Sequence, residues 1–278
     1  MHELLLYGQV PSARHDQVLK ILAGVAAMQP RRVLERHIIY RPTREPEEPG
    51  AHLSRRGGTQ NVAGKPVKQS AVKDLFYQQL VQKLSNEDFG AGTGHSQQDG
   101  RTLSALVKPG EEPKWSLEFQ DLPDTGDRGV SIRQTSTTHL VSGDPHAWMV
   151  AAGPHHFVSE YYIEGHRFVH GNVVILLHRV LHEPGVRSLE TAPKVDMPAF
   201  TALQPLDPSG AYILEAKIRL HDFKDTPVLD NGVKELLAFQ EQMKGCVELA
   251  LPDRLSLDSR VKWKPPPVLP VQTRPRKV

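Results

Sequence analysis

Four charged residues on one short stretch are the sharpest candidates for chemistry. Glu215, Lys217, Arg219 and His221 recur at every second position of AYILEAKIRLH, so an extended chain puts them on one face. Lining a barrel, such a row would match the oxygens of a phosphorylated ligand. Arg36, Glu118 and Arg133 sit in other strand-like stretches and would extend it. The ordinary reading of the same alternation is a face turned to water, as in most antiparallel sheets, and that is the reading expected here.

Metal-dependent phosphoryl chemistry would need clustered carboxylates. One barrel architecture supplies them as Glu-x-Glu-x-Lys on its first strand, with all three side chains on one face. At those spacings this chain has Glu3, Leu5 and Tyr7. The second carboxylate and the lysine are missing, so a metal-dependent, phosphate-processing tunnel enzyme using Glu215, Lys217, Arg219 and Arg133 stands only as the alternative. Fourteen histidines are scattered without His-Glu-x-x-His spacing, and no Cys-x-x-Cys is possible with one cysteine. No serine lies in Gly-x-Ser-x-Gly. Cys246 has no nameable activating partner and reads as a core thiol. No catalytic residue, cofactor or metal site is expected.

The elements that must position these residues are mostly strands. His2 to Val10 is extended and ends at Pro11; a helix follows, with Ser12 as its expected cap and Val18, Ile21, Leu22 and Val25 at helical spacing. Gln29-Pro30 stops that helix, and Val33 to Tyr40 returns as a strand with Arg36 on the face of Leu34, Ile38 and Tyr40. Asp74 to Leu84 fits a helix or a strand. Trp115, Leu117 and Phe119 alternate with polar residues, and Val130 to Val141 is rich in Ser and Thr. Asp144-Pro145 opens a short helix. Phe157 to Ile163 and Arg167 to His170 flank Gly165, which is expected to make a hairpin turn. Val173 to Leu181 is apolar on both faces at its start, so something must cover both sides. A final helix carries Leu229, Val233, Leu236, Leu237 and Met243 on one stripe, capped by Thr226-Pro227 or Asp230.

Seven or eight strands without regular βα alternation argue for α+β, a mainly antiparallel barrel with flanking helices. The expected organisation is one barrel-like domain over 1–260. It has mobile insertions at about 42–72 and 85–113, whose Pro, Gly and charge bury too little to offset ordering entropy. A basic, proline-rich tail, 261–278, is expected to be disordered. The net charge of +2 is too small for a whole-protein nucleic-acid binder, so direct sequence-specific binding is not expected. A lone cysteine fits a reducing compartment. Apolar runs such as Ala147 to Ala152 fall far short of the ~20 residues of a membrane helix. Leu4 to Leu6 follow Glu3 with no basic region before them, so no secretory signal is read.

Three segments together resemble a known family. HELLLYGQVPSARHDQVLKILAGVAAMQPRRVLERHIIY opens the chain, GHRFVHGNVVILLHRVL lies centrally, and AYILEAKIRLHDFK precedes GVKELLAFQEQMKGCVEL. They cover about a third of the sequence and resemble the subunit 18 family of the Mediator complex in its filamentous-fungal form. That resemblance implies a triphosphate-tunnel-like barrel put to scaffolding use, in agreement with the incomplete Glu-x-Glu-x-Lys. It implies a non-catalytic subunit of the head module, acting in the nucleus as an adaptor between transcription regulators and RNA polymerase II. The implied partners are Mediator subunit 20, a related barrel, and the C-terminal helix of subunit 8. Tyr161, Tyr162, Val174, Leu176 and Ile218 are the expected partner-binding residues. Tyr161 and Tyr162 point to opposite faces of one strand, so at most one can line the barrel.

Overall fold

Most of the long strands carry an apolar face and a more polar one, and closing the strands into a barrel decides which face is enclosed. The structure is a computed structural model and describes residues 1–43, 74–89, 112–153, 155–185, 192–221, 223 and 225–262. In chain order its elements are β1 (His2–Val10), α1 (His15–Ala26), β2 (Arg31–Pro42), β3 (Gln78–Lys83), β4 (Trp115–Gln120), β5 (Ser131–Leu140), α2 (Pro145–Ala152), β6 (His155–His170), β7 (Val173–His182), β8 (Gln204–Pro205), β9 (Tyr212–Leu220) and α3 (Thr226–Met243). Neighbours run β6-β2-β3-β4-β5-β1-β9-β7, and β7 pairs again with β6. Eight antiparallel strands therefore form a closed barrel, and the two-residue β8 is appended to β7. Closure leaves no long unpaired edge to recruit another chain.

The main apolar core lies outside the barrel. Leu4 and Leu6 of β1, Ile132 of β5, Phe168 of β6, Val173, Ile175 and Leu177 of β7, and Leu214, Ala216, Ile218 and Leu220 of β9 turn outward. Val18 and Leu22 of α1 and Leu229, Val233, Leu236, Phe239 and Met243 of α3 cover them. A second cluster joins Ile38 and Tyr40 of β2, Leu80 of β3, Trp115 of β4 and Phe157 of β6 to Met149 of α2. A third, of Tyr162, Leu181 and Leu203 with Met197 and Phe200 against it, is closed by the chain around 197–203. Fully burying each large apolar side chain contributes about 1.5–3 kcal/mol, so these outer clusters hold the barrel wall.

The helix ends show local corrections. Ser12 does not cap α1; it opens a 3-10 turn, Ser12–Arg14, and the α-helix begins at His15. At the other end Ala27 takes the left-handed conformation, with φ 50°, and the Met28 amide donates to the Ala23 carbonyl at 3.2 Å. That seat costs an L-residue roughly 1–2 kcal/mol, a penalty glycine escapes. Ala27→Gly is therefore expected to raise the midpoint of thermal unfolding, with a gain of about 1 kcal/mol. Asp144 caps α2 by accepting from the amides of His146 and Ala147 at 2.8 and 3.2 Å. The cap of α3 is Asp225, one residue before the expected pair, with Pro227 in the first turn.

Gly165 corrects a larger expectation. β6 runs straight through it for 16 residues, and the turn comes at 171–172, where Gly171 has φ +58°. A Cβ at Gly165 would lie 2.3 Å from the Leu177 carbonyl oxygen and 2.6 Å from the His178 Cβ. The glycine is there because β7 approaches too closely for any side chain. The ambiguous stretch after Asp74 resolves as β3. The tail and the two insertion stretches lie mostly outside the described residues. At the front of the second, Asn86–Asp88 form a capped 3-10 turn and the Phe89 ring packs edge-on to Phe200. Among the described residues no helix is long and apolar enough to cross a membrane.

Candidate functional site

Because the apolar faces turn outward, the polar faces line the lumen. Glu3, Leu5 and Tyr7 of β1 share the inner face with Glu215, Lys217 and Arg219 of β9 and with Arg133 of β5, as the strand register requires. The part of the charged row that lies on β9 and was expected to face water is thus enclosed: the side chains of Glu215 and Lys217 are 12% and 19% exposed, Arg219, at 44%, reaches an opening, and His221, just past the strand, is exposed as expected. Arg133 and Glu118 join it. Arg36 does not. It lies on the outer face of β2, paired with Glu160 and donating to the Lys194 carbonyl at 2.7 Å.

The deeper lumen cations are matched by carboxylates. Arg133 donates to Glu3 at 2.6 Å, and Lys217 pairs with Glu215 at 2.6 Å. On the opposite wall His37 contacts Glu35 and Gln79, each at 3.2 Å, and stacks on Tyr161 with ring centres 4.9 Å apart. Burial alone would raise the Glu215 carboxyl, but Lys217, with His178 and Arg133 behind it, holds it down at about 2. Burial would likewise raise Glu35, yet His37 brings it below its ordinary range. Glu118 goes the other way: burial raises it. Burial pushes His178 down towards the neutral form, and pushes the Tyr7 hydroxyl far up, with Glu215 adding to it.

The Glu215 shift fixes a pH dependence. A folded pKa below the ordinary 4.5 means the unfolded chain takes up the proton first, so the stabilisation is complete above about 4.5 and is lost as pH falls towards about 2. Glu215→Gln is expected to flatten the acid limb of stability in that window. Urea midpoints at pH about 5 and 3, compared with the parent chain, measure it.

The two ends of the lumen differ. At the end where β1 finishes and β9 starts, β1 has left β5, which it meets only over His2–Leu5. A strap from Val247 to Val261 crosses there. It exchanges two hydrogen bonds between Tyr7 and Ala250, at 3.0 and 2.8 Å, and reaches β3's approach through Tyr77 to Ser259 at 2.8 Å and Val261 to Leu75 at 2.7 Å. Between strap and barrel lies a groove of about 750 Å³, lined by Tyr7, His178, Leu206, Tyr212, Ile213 and Leu257 among others. Leu206 is 59% exposed there. Neither groove nor strap was read from the sequence: the strap is irregular, and the groove forms only once β8, β9 and the strap meet.

The five residues expected to bind partners lie in the barrel wall. Tyr162 and Ile218 are buried on its outer side, Tyr162 beside Leu203 and Ile218 under α3. Tyr161, Val174 and Leu176 are on the lumen side, where Tyr161 donates to Gln79 at 3.3 Å and Val174 and Leu176 pair with Lys217 and Glu215. The structure brings none of the five onto the open outer surface. Cys246, which follows α3, is half-buried, and burial raises its thiol, as befits an unreactive packing residue.

Comparison with known proteins identifies the relatives of this arrangement. The family model described as Med18 protein matches residues 2–260. Mediator of RNA polymerase II transcription subunit 18 from Aspergillus niger is 36% identical over 275 residues, covering 94% of this chain and all of that one. The protein of the same name from Aspergillus fumigatus is 37% identical with the same coverage. Among solved structures, one chain of the Schizosaccharomyces pombe Mediator head module superposes with a TM-score of 0.61 at 17% identity, over 91% of this chain and 99% of that one. At that identity the match shows a shared fold.

Proposed function

Because the chain belongs to the Med18 family, whose members are subunits of Mediator, we propose that it is a non-catalytic adaptor of the Mediator head module. In this reading it works in the nucleus, coupling transcription regulators to RNA polymerase II by holding other subunits. The observation that carries it is the contrast between lumen and groove. Within the lumen each buried cation already has a carboxylate, so a phosphorylated substrate would have to displace ion pairs made without water. Beside it, the groove offers exposed apolar surface of the size that takes a bound segment.

The C-terminal helix of Mediator subunit 8 is the proposed occupant of this groove, lying along Leu206, Ile213 and Leu257 with an apolar stripe. Mediator subunit 20 is the proposed neighbour on the barrel's outer surface. Tyr161, Tyr162, Val174, Leu176 and Ile218 then serve partner binding by fixing the shape of the wall. Coexpression with subunits 8 and 20, followed by size-exclusion chromatography, tests the proposal; elution alone, by a chain shown to be folded, would refute it. Within that assay Leu206→Asp is expected to weaken capture of the subunit 8 helix by about tenfold or more, since it puts a charge at a desolvated contact. The free chain's melting should not change, because Leu206 is exposed before the helix arrives.

The tunnel-enzyme alternative gains one observation, the placement of Glu215, Lys217, Arg219 and Arg133 on the lumen face. Triphosphate hydrolysis with Mg²⁺ or Mn²⁺, lost in Glu215→Gln, would favour it over the adaptor.

A further inference from the structure

We propose that the other end of the barrel, where β2 begins and β9 finishes, docks an acidic peptide segment with interspersed apolar side chains. Arg31, the first residue of β2, is the direct cross-strand partner of Arg167 on β6. Both lie on the strand faces that line the lumen, both are exposed, and among the described residues neither has a carboxylate within ion-pair distance. Like charges set directly opposite one another weaken a sheet. The chain therefore keeps, at an opening, a pair that repels until an anion arrives.

A third guanidinium adds to the imbalance. Arg219 is 44% exposed and its carboxylate neighbour, Glu3, is 3.9 Å away, while Arg133 holds that same Glu3 at 2.6 Å. One carboxylate thus faces two cations. Lys217, further in, is already satisfied by Glu215, so the unmet positive charge sits at the opening and not in the depth of the lumen. Between the arginines the wall is apolar: Val169, 39% exposed, pairs with Val174, and Leu176 pairs with Arg167.

Those two features define the ligand. Guanidinium groups take carboxylates in paired, charge-assisted hydrogen bonds, and the valine and leucine surface takes aliphatic or aromatic side chains. A nucleic-acid strand fits less well, because no Phe, Tyr or Trp stands among these residues to stack a base. This docking site is separate from the groove at the opposite end and does not rest on what fills it.

The test is fluorescence polarisation on the full chain with a labelled peptide of alternating Asp and Leu. A Lys-Leu peptide, an Asp-Ser peptide and a thymidine oligonucleotide serve as comparisons. The Asp-Leu peptide is expected to bind, more weakly as salt rises from about 0.05 to 0.3 M, and ahead of all three comparisons. Arg31→Glu should lower that affinity about tenfold or more while leaving thermal stability equal or higher, because Glu at position 31 would face Arg167 attractively. Loss of binding in that variant then cannot be loss of fold; Arg167→Gln, which only removes charge, is the second check. Absence of binding by the Asp-Leu peptide, indifference to both variants, equal binding of the Asp-Ser peptide, or preference for the oligonucleotide would each overturn the proposal.

Discussion

Arg36→Ala is expected to destabilise the fold by about 3–5 kcal/mol, the range for removing one partner of a buried ion pair. The Arg36 and Glu160 side chains are 1% and 0% exposed. The guanidinium donates to Glu160 from Nε at 3.0 Å and to the Lys194 carbonyl at 2.7 Å, so a single side chain joins β2, β6 and the segment that closes the third apolar cluster. Truncation leaves the Glu160 carboxylate in the wall without its guanidinium. The pair itself is not the source of the effect. Desolvating two charges consumes most of their attraction, so Arg36→Met with Glu160→Leu should recover much of the loss, as buried pairs replaced by packed apolar residues often do. Urea unfolding of both single variants and the double variant measures the coupling. A double variant as unstable as Arg36→Ala would show that apolar packing does not replace what the pair contacts, the Lys194 carbonyl and the Tyr162 hydroxyl among them.

The second large effect is expected at Gly165. Substitution by valine puts a branched side chain where even a Cβ meets the Leu177 carbonyl oxygen at 2.3 Å and the His178 backbone at 2.7 Å. The obstacle is the backbone of the adjacent strand, which cannot rotate away as a side chain can. Overpacked cores lose typically 1–3 kcal/mol and occasionally more, and this site is expected at about 3 kcal/mol or above. The loss falls on the β6–β7 pairing, which closes the barrel, so the variant should lose the cooperative melt seen by circular dichroism. Gly24→Ala is the control. Nothing lies within 4 Å of a Cβ there, and α1 should gain about 0.5–1 kcal/mol. A soluble Gly165→Val protein melting with the parent would refute the close-approach argument.

Much of the wall was legible in the sequence because alternation survives in single strands. Val33 to Tyr40, Trp115 to Phe119 and Ala211 to His221 declare their two faces without any partner in view, and the valines and leucines of α1 and α3 declare their stripes. Alternation does not say which face is enclosed. For Glu215, Lys217 and Arg219 the usual solvated reading failed, and the reason lies in other elements. The stripe Leu229, Val233, Leu236 needs an apolar platform, and Leu214, Ala216, Ile218 and Leu220 supply it. Matching helix stripes to strand faces would have driven the charges inward. Gly165 misled for a different reason: a glycine kept for close approach looks, in one dimension, like a glycine kept for a turn. The placement of Tyr161 and Tyr162 on opposite faces followed from periodicity, but their burial depended on segments distant in sequence, Leu203 for one and His37 for the other.

With helices clamped against its exterior, this barrel draws most of its apolar cohesion from the jacket and less from its contents. Substitutions that keep the channel's ion pairs are therefore expected to alter what it can hold, and those in the jacket to decide whether the protein folds at all.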